Sequence, residues 1–380
     1  MRVVIAPDSF KESLSAVEVA QAIAAGVRDV DSAANIVCIP MADGGEGSLD
    51  AVLAACSGER RRAVVKNANN QPCEADWALL GDSRAFIEIA TAAGLAQIPA
   101  AQRNALTATS YGVGQLIRQA LDAGASHITI GLGGSACNDG GAGMLQALGV
   151  HLLDAEGREL ALGGAALIQL DSISLENMDP RLKHTSFEVA MDVNNPLCGP
   201  QGASAVFGPQ KGASHEQVAQ LDAALAHFAE ICAALFHNDE QNTPGVGAAG
   251  GLGFGIKTFF NATFKAGVEL VAELSGLPAA MLEADLVFTG EGRMDAQTLH
   301  GKTPAGVARY ASALGLPVIA IVGSLGDGYE ALYDIGLTAA VSLTPGPVSL
   351  TEACQDAPRY LRQRTRDCMR VWLSGQKRIN

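Results

Sequence analysis

The sequence predicts an α/β protein built on a doubly wound, mainly parallel sheet, with a second α/β domain inserted into it. Short β-branched runs alternate with helical stretches at both ends of the 380-residue chain, which is typical of parallel sheets covered by helices. In the middle, the strands instead alternate as antiparallel strands do. Glycine, with 43 residues, is well above the usual ~7% and is concentrated in loops after strands. We predict a discontinuous domain of residues 1–64 plus 284–380 and an inserted domain of residues 65–283.

The first pattern occurs twice at the start of the chain and returns near its end. Residues 2–6 and 36–41 are short apolar runs typical of buried parallel strands. Each precedes a helix, and Ser15 with Glu18 forms a capping box for the first one. Further strands are predicted at 285–289, 317–322 and 339–343, and helices at 304–314, 329–335 and 351–373. Two strands at the start and three at the end are most simply one five-stranded sheet.

The predicted insert is richer in antiparallel pattern and in turns. Its strands are predicted at 61–66, 73–80, 86–90, 127–130 and 187–193, its hairpin at 150–160, and its helices at 110–123, 214–236 and 265–275. Ser214 and Gln217 form a capping box for the longest of these helices. The glycine-rich stretch 238–254 predicts a mobile segment that closes over a cleft.

Composition excludes several classes of protein. A net charge of −14 argues against nucleic acid as a partner, because phosphate backbones require a basic face. The eight cysteines form no CxxC pair and no zinc-ligand spacing. No run reaches the ~18 apolar residues that a membrane span needs. We therefore expect a cytoplasmic protein without a membrane partner, either a monomer or a small homo-oligomer.

Charged loops follow the strands of the discontinuous domain, and three of these four loops also contain glycine. In an open α/β sheet, ligands bind beyond the carboxyl ends of the strands. These loops are 7–11, 42–47, 290–295 and 323–327, and the insert adds 131–141 and 192–195. Such a rim suits phosphoryl transfer, which needs glycine backbone and cations around phosphates and carboxylates for Mg²⁺ and for a hydroxyl proton. Candidate cations are Lys11, Lys211, Arg293 and Lys302, and candidate oxygen ligands for a hard cation are Asp43, Glu46, Glu291 and Asp295.

Two familiar nucleotide motifs are incomplete. Gly301-Lys302-Thr303 resembles the end of a P-loop, but Ala296 stands where that motif requires glycine. Residues 131–136 imitate a dinucleotide fingerprint, yet residues 137–141 would interrupt the helix that should open there. Neither a Walker site nor a Rossmann dinucleotide site is therefore favoured.

Six longer segments resemble, in order, the bacterial glycerate kinase family of type I. They are residues 6–16, 42–48, 131–149, 192–213, 247–253 and 289–307. The resemblance covers nearly the whole chain. It implies ATP-dependent phosphorylation of D-glycerate, chiefly at the 2-hydroxyl, with Mg²⁺. It also implies a flavodoxin-like domain carrying an inserted domain of restriction-endonuclease-like topology. Cys137 departs from the family, which more often has threonine there.

The resemblance suggests a role for each candidate residue, in a cleft between the domains. As catalytic residues we expect Asp192, Lys11 and Arg293, with Asp192 accepting the proton of the attacking hydroxyl. The expected substrate-binding residues are Asp8, Ser9, Lys11, Asp43, Gly44, Gly45, Glu46 and Asn194. The expected nucleotide-binding residues are Gly133, Gly134, Ser135, Asn138, Asp139, Gly140 and Lys211. Glu291 and Asp295 are expected to hold Mg²⁺. The competing structural roles are a turn cap for Asp192 and a surface salt-bridge network for the other carboxylates.

Three alternatives stay open at this stage. Transfer to the 3-hydroxyl would make the chain a glycerate 3-kinase, since residues alone do not show which hydroxyl faces the base. An NAD(P)-dependent hydroxy-acid dehydrogenase would need a complete fingerprint followed by an acid about 20 residues on, which is lacking. A non-catalytic sensor of phosphorylated metabolites would not need so many carboxylates on one rim.

Overall fold

The structure is a computed structural model that describes residues 1–376. It is a mixed α/β protein with parallel sheets, as predicted, and it divides into two compact units. Unit 1 consists of Met1–Asp43, Asp50–Ser57 and Ala266–Asn380, and unit 2 consists of Gly44–Leu49 and Gly58–Lys265.

The strands are numbered in chain order. They are β1 (Arg2–Ile5), β2 (Asn35–Cys38), β3 (Gly58–Lys66), β4 (Pro72–Leu80), β5 (Arg84–Glu88), β6 (His127–Gly131), β7 (His151–Leu153), β8 (Ser172–Ser174), β9 (Ser186–Met191), β10 (Thr263–Ala266), β11 (Leu286–Thr289), β12 (Arg293–Met294), β13 (Val318–Val322), β14 (Ser324–Leu325) and β15 (Ala339–Ser342).

The helices are numbered in the same way. They are α1 (Ala16–Arg28), α2 (Ser48–Ala55), α3 (Ala90–Ala93), α4 (Tyr111–Asp122), α5 (Ala142–Ala147), α6 (Ala203–Phe207), α7 (His215–Phe236), α8 (Ala248–Phe260), α9 (Gly267–Ser275), α10 (Leu277–Met281), α11 (Thr303–Ser312), α12 (Leu350–Gln355) and α13 (Ala357–Gln376). Short 3-10 turns lie at Ala100–Gln102, Gly164–Gln169, Pro180–His184, Pro209–Lys211, Ala296–Leu299 and Tyr329–Ile335.

Unit 1 is built on a five-stranded sheet in the order β15-β13-β11-β1-β2. Every neighbouring pair is parallel, which confirms the predicted sheet. The chain runs from β1 to β2 on one side and to β11 on the other, so the order reverses between β1 and β11. β2 was predicted to be buried, but its residues are half-buried or exposed because it is an edge strand that pairs with β1 alone.

The core of unit 1 is closed by helices at both ends of the chain. Alternate residues of the sheet, such as Val3, Ile5 and Phe288, pack in one cluster with apolar residues of α1 and α13. α1 begins with the predicted capping box, in which Ser15 and Glu18 satisfy each other's backbone amides. α1 and α13 are thereby held against the sheet that positions the loops described below.

Unit 2 is built on a six-stranded sheet in the order β10-β9-β6-β5-β4-β3. β3, β4 and β5 form the predicted antiparallel part, whereas β5, β6 and β9 are parallel. The capping box of Ser214 and Gln217 at the start of α7 is also confirmed.

α7 alone among the helices of residues 1–376 is long and apolar enough to cross a membrane by length and composition. Leu221, Leu225 and Phe228 on this helix are nevertheless fully buried in unit 2, as in an ordinary core helix.

The structure corrects the prediction of a mobile segment at 238–254. Val246, Leu252 and Phe254 in this stretch are buried, and most of it leads into α8. A Cβ at Gly250 would overlap the carbonyl of Cys137. The glycines therefore allow close packing and do not form a lid.

The predicted hairpin at 150–160 is confirmed: Leu153 forms an antiparallel bridge with Glu159, and the chain turns at Asp154–Arg158. β7 also pairs with β8. Two further predictions need smaller corrections. The predicted helix 329–335 is a 3-10 turn bounded by two left-handed glycines. The predicted helix 351–373 is divided into α12 and α13, and Pro358 lies in the first turn of α13, where proline is tolerated.

The boundaries of the two units differ from the predicted domain boundaries. β3 pairs with β4 along its whole length, so residues 58–64 belong to unit 2. Residues 266–283 belong to unit 1 and residues 44–49 to unit 2.

Replacing Gly26 with alanine should destabilise unit 1 by about 1–2 kcal/mol. A Cβ on Gly26 of α1 would lie 2.6 Å from both the carbonyl oxygen of Arg362 and Cβ of Thr365 on α13. Overpacking costs about 1–3 kcal/mol, and the better helix propensity of alanine recovers only part of this. Urea unfolding followed by circular dichroism measures the change. Gly81→Ala is the control, because a Cβ there meets nothing within 4 Å. Equal midpoints for the two variants would contradict this account of the α1–α13 contact.

Candidate functional site

The loops that follow β1, β11 and β13 in unit 1 are held together by backbone hydrogen bonds. The amide of Asp8 donates to the carbonyl of Gly290 at 2.8 Å, and the amide of Gly323 donates to the carbonyl of Glu291 at 3.1 Å. β12 and β14 pair in parallel beyond the main sheet and continue this contact. Three of the four predicted rim loops of this domain are thus rigidly placed at one edge of the sheet.

Asp8 is fixed by donors on both of its carboxylate oxygens. The hydroxyl of Thr303, at the start of α11, donates to Oδ2 at 2.5 Å, and the amide of Ser9 donates to Oδ1 at 2.6 Å. Burial, and then the charge of Asp43, raises the pKa of Asp8 to about 6, although these hydrogen bonds act in the opposite direction.

Glu291 is a second carboxylate in the same part of unit 1. It is only 7% exposed and accepts a hydrogen bond from the hydroxyl of Thr298 at 2.6 Å. Burial raises the pKa of Glu291 to about 7; the Thr298 hydrogen bond and the charge of Lys302 lower it, and the charge of Asp8 raises it further. Two carboxylates that resist ionisation therefore face one cavity, which is a feature of functional sites.

That cavity has a volume of about 750 Å³ and belongs entirely to unit 1. Its charged lining includes the predicted cations Lys11 and Arg293 together with Lys302. Asp43 lines it with the two carboxylates just described. The predicted residues Asp8, Ser9, Lys11, Asp43, Glu291 and Arg293 are thus brought together.

Asp295 was predicted to bind Mg²⁺, but both of its carboxylate oxygens already have partners in the protein. Its Oδ1 accepts the amide of Gln297 and its Oδ2 pairs with Nε of Arg293 at 3.2 Å. Within residues 1–376, no group of three or more His, Cys, Asp or Glu side chains is placed to hold a metal ion. Mg²⁺ commonly takes only one or two protein carboxylates and completes its shell with water and phosphate oxygens. Glu291, whose ionisation is opposed by Asp8, fits that chemistry better than Asp295 does.

The predicted motif at residues 42–48 is divided between the two units. Asp43 lines the unit 1 cavity, whereas Gly44 accepts a hydrogen bond from the amide of Gly133 in unit 2 at 3.4 Å. A Cβ on Gly133 would overlap the backbone of Gly45, so glycine is required for this close approach. Gly44, Gly45 and Glu46 therefore belong with the glycine loop of unit 2 and not with Asp43.

Glu88 holds the same short segment in place. It is buried and accepts hydrogen bonds from the amides of Gly47 and Leu49, at 3.3 and 3.0 Å. The carboxylate thus satisfies donors at the start of α2. Glu88 lies at the end of β5, a position that sequence analysis treated only as strand.

The glycine loop at 131–141 rests on a buried lysine. Nζ of Lys211 donates to Oγ of Ser135 at 2.9 Å and to the carbonyl of Cys137 at 2.6 Å. Burial lowers the pKa of Lys211. Because Oγ of Ser135 accepts from the lysine, its own hydroxyl hydrogen is directed elsewhere. Ser135 and Lys211 are therefore joined as predicted, with the lysine inside the unit.

The outer part of this loop presents unused donors. Among the hydrogen bonds of residues 1–376, none is made by the backbone amides of Gly134 and Ser135. Gly134 is exposed and takes a positive φ of 72°. Two adjacent amides and a hydroxyl above a buried ammonium group suit an anion.

Asp139 and Asn138 were predicted to contact phosphates of ATP, and both are buried within unit 2. Asp139 is fully buried and accepts hydrogen bonds from Ser110 (amide and hydroxyl) and from the amides of Gly141 and Gly143. Burial raises the pKa of Asp139 despite these donors. Asn138 is also fully buried, and its Nδ2 donates to Ser204. Asn138, Asp139 and buried Gly140 thus shape the loop from inside the unit, and their predicted contact with the nucleotide stays a prediction.

Asp192 and Asn194 lie after the end of β9 in unit 2. Both are exposed. The structure places neither of them in the unit 1 cavity, whose lining comes from unit 1 alone. Their predicted roles stay predictions.

The residues that hold the carboxylates were not predicted from the sequence. Thr298 and Thr303 support Glu291 and Asp8, and Ser110 supports Asp139. A usable signal existed for Thr303 only, because a threonine before proline at a predicted helix start is a capping position. Thr298 lies in a 3-10 turn and Ser110 directly precedes α4, and neither position indicates the carboxylate that it supports.

Comparisons with known proteins agree with one another. Residues 3–373 match the model of the glycerate kinase family. The chain is 47% identical to a glycerate kinase of Bacillus subtilis (strain 168), covering 97% of this chain and 96% of that protein. It is 48% identical to a glycerate 2-kinase of Escherichia coli (strain K12), covering 94% of each. A crystal structure of a candidate glycerate kinase 2 from Salmonella typhimurium LT2 superposes with a TM-score of 0.91 at 46% identity, covering 99% of each chain.

Glu291→Gln should stabilise the metal-free protein above pH 7 and have little effect near pH 4. The pKa of about 7 in the folded state lies above the ordinary 4.5, so between these values the folded protein retains a proton that the unfolded chain has released. The free energy of unfolding of the unmodified protein therefore falls as the pH rises through this window. The amide does not titrate, and its gain at pH 8 should be on the order of 2 kcal/mol.

Urea unfolding at pH 4 and pH 8 in the presence of EDTA measures this difference. Glu330→Gln, at an exposed position of unit 1, is the matched control and should change stability equally at both pH values. A gain for Glu291→Gln that does not depend on pH would show that the carboxylate is not held against its ionisation.

Proposed function

This chain belongs to the glycerate kinase family, which makes it a phosphotransferase, and we propose that it transfers the γ-phosphoryl group of ATP to the 2-hydroxyl of D-glycerate. The observation that carries the proposal is the unit 1 cavity, in which Lys11, Arg293 and Lys302 line the same space as the carboxylates of Asp8 and Glu291. Phosphoryl transfer depends mainly on positioning and on charge stabilisation. A cavity that offers both signs of charge suits an anionic acid and a phosphate with its metal ion.

We propose that Asp8, Ser9 and Lys11 position D-glycerate. Lys11 is exposed and can reach the carboxylate of the acid, and Asp8 can accept from one of its hydroxyls. Arg293, whose side chain is 71% exposed, can turn its planar fork toward the equatorial oxygens of the transferring group. Asp43 completes this side of the cavity.

We propose that the outer part of the glycine loop in unit 2 contacts phosphates of ATP. Gly134 and Ser135 are the members of the predicted set whose unused amide donors support this, and Gly134 is also exposed. Gly133 precedes them and allows the close approach of Gly45. Lys211 supplies positive charge from below through Ser135. Asn138, Asp139 and Gly140 hold the loop in this shape.

We propose that Mg²⁺ is held by Glu291. When bound, the ion supplies charge neutralisation on the phosphate oxygens. The mutual repulsion of Glu291, Asp8 and Asp43 supports a cation at this point, while Asp295 acts mainly as a turn cap and a partner of Arg293. Thr298 keeps the Glu291 carboxylate oriented.

We further propose that unit 1 is flavodoxin-like and unit 2 restriction-endonuclease-like. The strand order of unit 1, with its reversal between β1 and β11, supports the first description. The mixed sheet of unit 2, antiparallel at one side and parallel at the other, is compatible with the second.

Phosphorus NMR of the product formed from ATP and D-glycerate tests the proposed reaction. Phosphorus on the 2-oxygen couples to the single hydrogen at that carbon and gives a doublet, whereas phosphorus on the 3-oxygen couples to two hydrogens and gives a triplet. We expect the doublet. A triplet would reassign the regiochemistry to the 3-hydroxyl, and absence of any phosphorylated acid would refute the kinase reaction. A change in NAD(P)H absorbance with glycerate as substrate would favour the dehydrogenase.

Asp192→Asn should lower kcat by about 10²–10⁴-fold, because a proton acceptor in the transition state contributes that much. The KM for ATP should change little, since the amide keeps the size of the side chain. Steady-state kinetics with saturating D-glycerate measure both constants. Asp171→Asn, at another exposed aspartate of unit 2, is the control. If kcat changes less than about twofold, Asp192 is not the base, and Asp8, with its raised pKa, becomes the next residue to test.

A further inference from the structure

The lining of the unit 1 cavity combines two kinds of residue. Polar and charged groups such as Asp8, Lys11 and Glu291 come from the loops after the strands, and we call this part of the lining the polar side. α12 and the start of α13 contribute the apolar residues Leu350, Ala353, Cys354 and Ala357, and we call this part the apolar side. Phe10 and Leu343 add apolar surface from the loops after β1 and β15.

This cavity does not match the substrate acid in size or in polarity. Its volume is about 750 Å³, which lies in the range of sites that enclose whole cofactors or drug-sized molecules. Glycerate has three carbons, each bearing oxygen, and so has almost no apolar surface to place against α12. Leu350 is 77% exposed, an unusual position for a leucine at the rim of a charged pocket. The apolar side therefore fits another molecule, or another part of a molecule, that shares the cavity.

α12 is firmly placed, so its apolar side is a defined surface. The hydroxyl of Ser349 accepts a hydrogen bond from the amide of Glu352 and caps the helix. The hydroxyl of Ser13, from the loop after β1, donates to the carbonyl of Cys354 at 2.8 Å. The loop that carries Asp8 and Lys11 is thus tied directly to the apolar side.

The position of the cavity in the sheet also indicates a nucleotide. Loops after β1, β11, β13 and β15 line it, and the strand order reverses between β1 and β11. Crevices at such reversals of parallel sheets are where nucleotides and related phosphates bind. Lys11, Arg293 and Lys302 at the polar side provide charge for phosphates.

We propose that the apolar side of the unit 1 cavity, formed around Leu350 and Ala353 of α12, receives the adenine ring of the nucleotide substrate. The ring lies against Leu350 and the small side chains of α12, and the phosphates point toward the cationic side. This inference rests on the proposed use of ATP and adds the position at which its adenine ring binds. It differs from the sequence-based assignment, in which unit 2 provides all nucleotide contacts.

Unit 2 contains a second cavity that could bind the adenine ring instead, and the experiment must distinguish the two cavities. A smaller cavity of about 450 Å³ adjoins Gly134 and is lined by Ala96 and Gln97 among others. It contains two carboxylates, Glu46 and Glu88, but only Leu95 as a larger apolar side chain. It lacks the extended apolar side of the unit 1 cavity.

Filling each cavity with a tryptophan distinguishes the two seats. Ala353→Trp in unit 1 should raise the KM for ATP about tenfold, which corresponds to the loss of one good apolar contact. The KM for D-glycerate and kcat should stay within about twofold. Ala96→Trp, at an exposed alanine of unit 2, is the matched control and should leave all three constants within the same limits.

A second pair of variants avoids any effect of the tryptophan on folding. Leu350→Asp should raise the KM for ATP several-fold, whereas Leu282→Asp should not. Leu282 is 71% exposed in the same unit and is absent from the lining of the cavity. Both substitutions are at exposed positions, so both proteins should fold normally, which circular dichroism verifies.

Calorimetric titration with ADP separates failure of this inference from failure of the proposed function. If ATP and D-glycerate give no phosphorylated product, the kinase reaction is refuted, and weaker ADP binding by Ala353→Trp would still support the seat of the base. If the reaction occurs but Ala353→Trp and Leu350→Asp bind ADP as tightly as the unmodified protein, the inference is overturned. An increase in the KM for ATP caused only by Ala96→Trp would place the base in unit 2 and would overturn it as well.

Discussion

The parallel pairing of β1 with β11 is the constraint on which the unit 1 site depends. Parallel strands end at the same edge, so the loops after them must run side by side and satisfy each other's backbone groups. The hydrogen bond from the amide of Asp8 to the carbonyl of Gly290 meets that requirement and brings the loops of Asp8 and Glu291 together. The pKa of each carboxylate is raised first by burial and then by other charges, so the fold maintains an unfavourable electrostatic arrangement that a bound cation would relieve.

In unit 2, buried charged groups fix the shape of the glycine loop. A buried ammonium group, Lys211, lies beneath the loop, and a buried carboxylate, Asp139, organises its other end through four hydrogen bonds. Buried charges of this kind are costly unless they are fully hydrogen-bonded. They therefore hold one backbone shape, in which the amides of Gly134 and Ser135 make no hydrogen bond within residues 1–376. Unit 1 thus places both signs of charge around one cavity, whereas in unit 2 a buried positive group supports a loop with two unused amide donors.

The strands and rim loops could be predicted from the sequence because their signals are local. Short β-branched runs followed by charged loops, with glycine after β11 and β13, identified β1, β11 and β13 and the loops after them. The partners of the charged groups could not be predicted in the same way. Ser110 meets Asp139 across 29 positions in the chain and Thr303 meets Asp8 across 295, so only the folded backbone brings them together. Glycine content misled at residues 238–254, where it allows the chain to pack against Cys137 and does not produce mobility.

The Gly301-Lys302-Thr303 sequence shows why composition alone does not define a phosphate site. In a P-loop, these residues close a loop that runs directly from a strand and wraps a phosphate with its amides. Here they follow a 3-10 turn, and their side chains act separately. The hydroxyl of Thr303 holds Asp8, and Lys302 lies close enough to Glu291 to favour its ionised form. The same three residue types therefore stabilise carboxylates in this fold, because the backbone that precedes them differs. Both contacts depend on the strand ends that place Asp8 and Glu291 in one cavity.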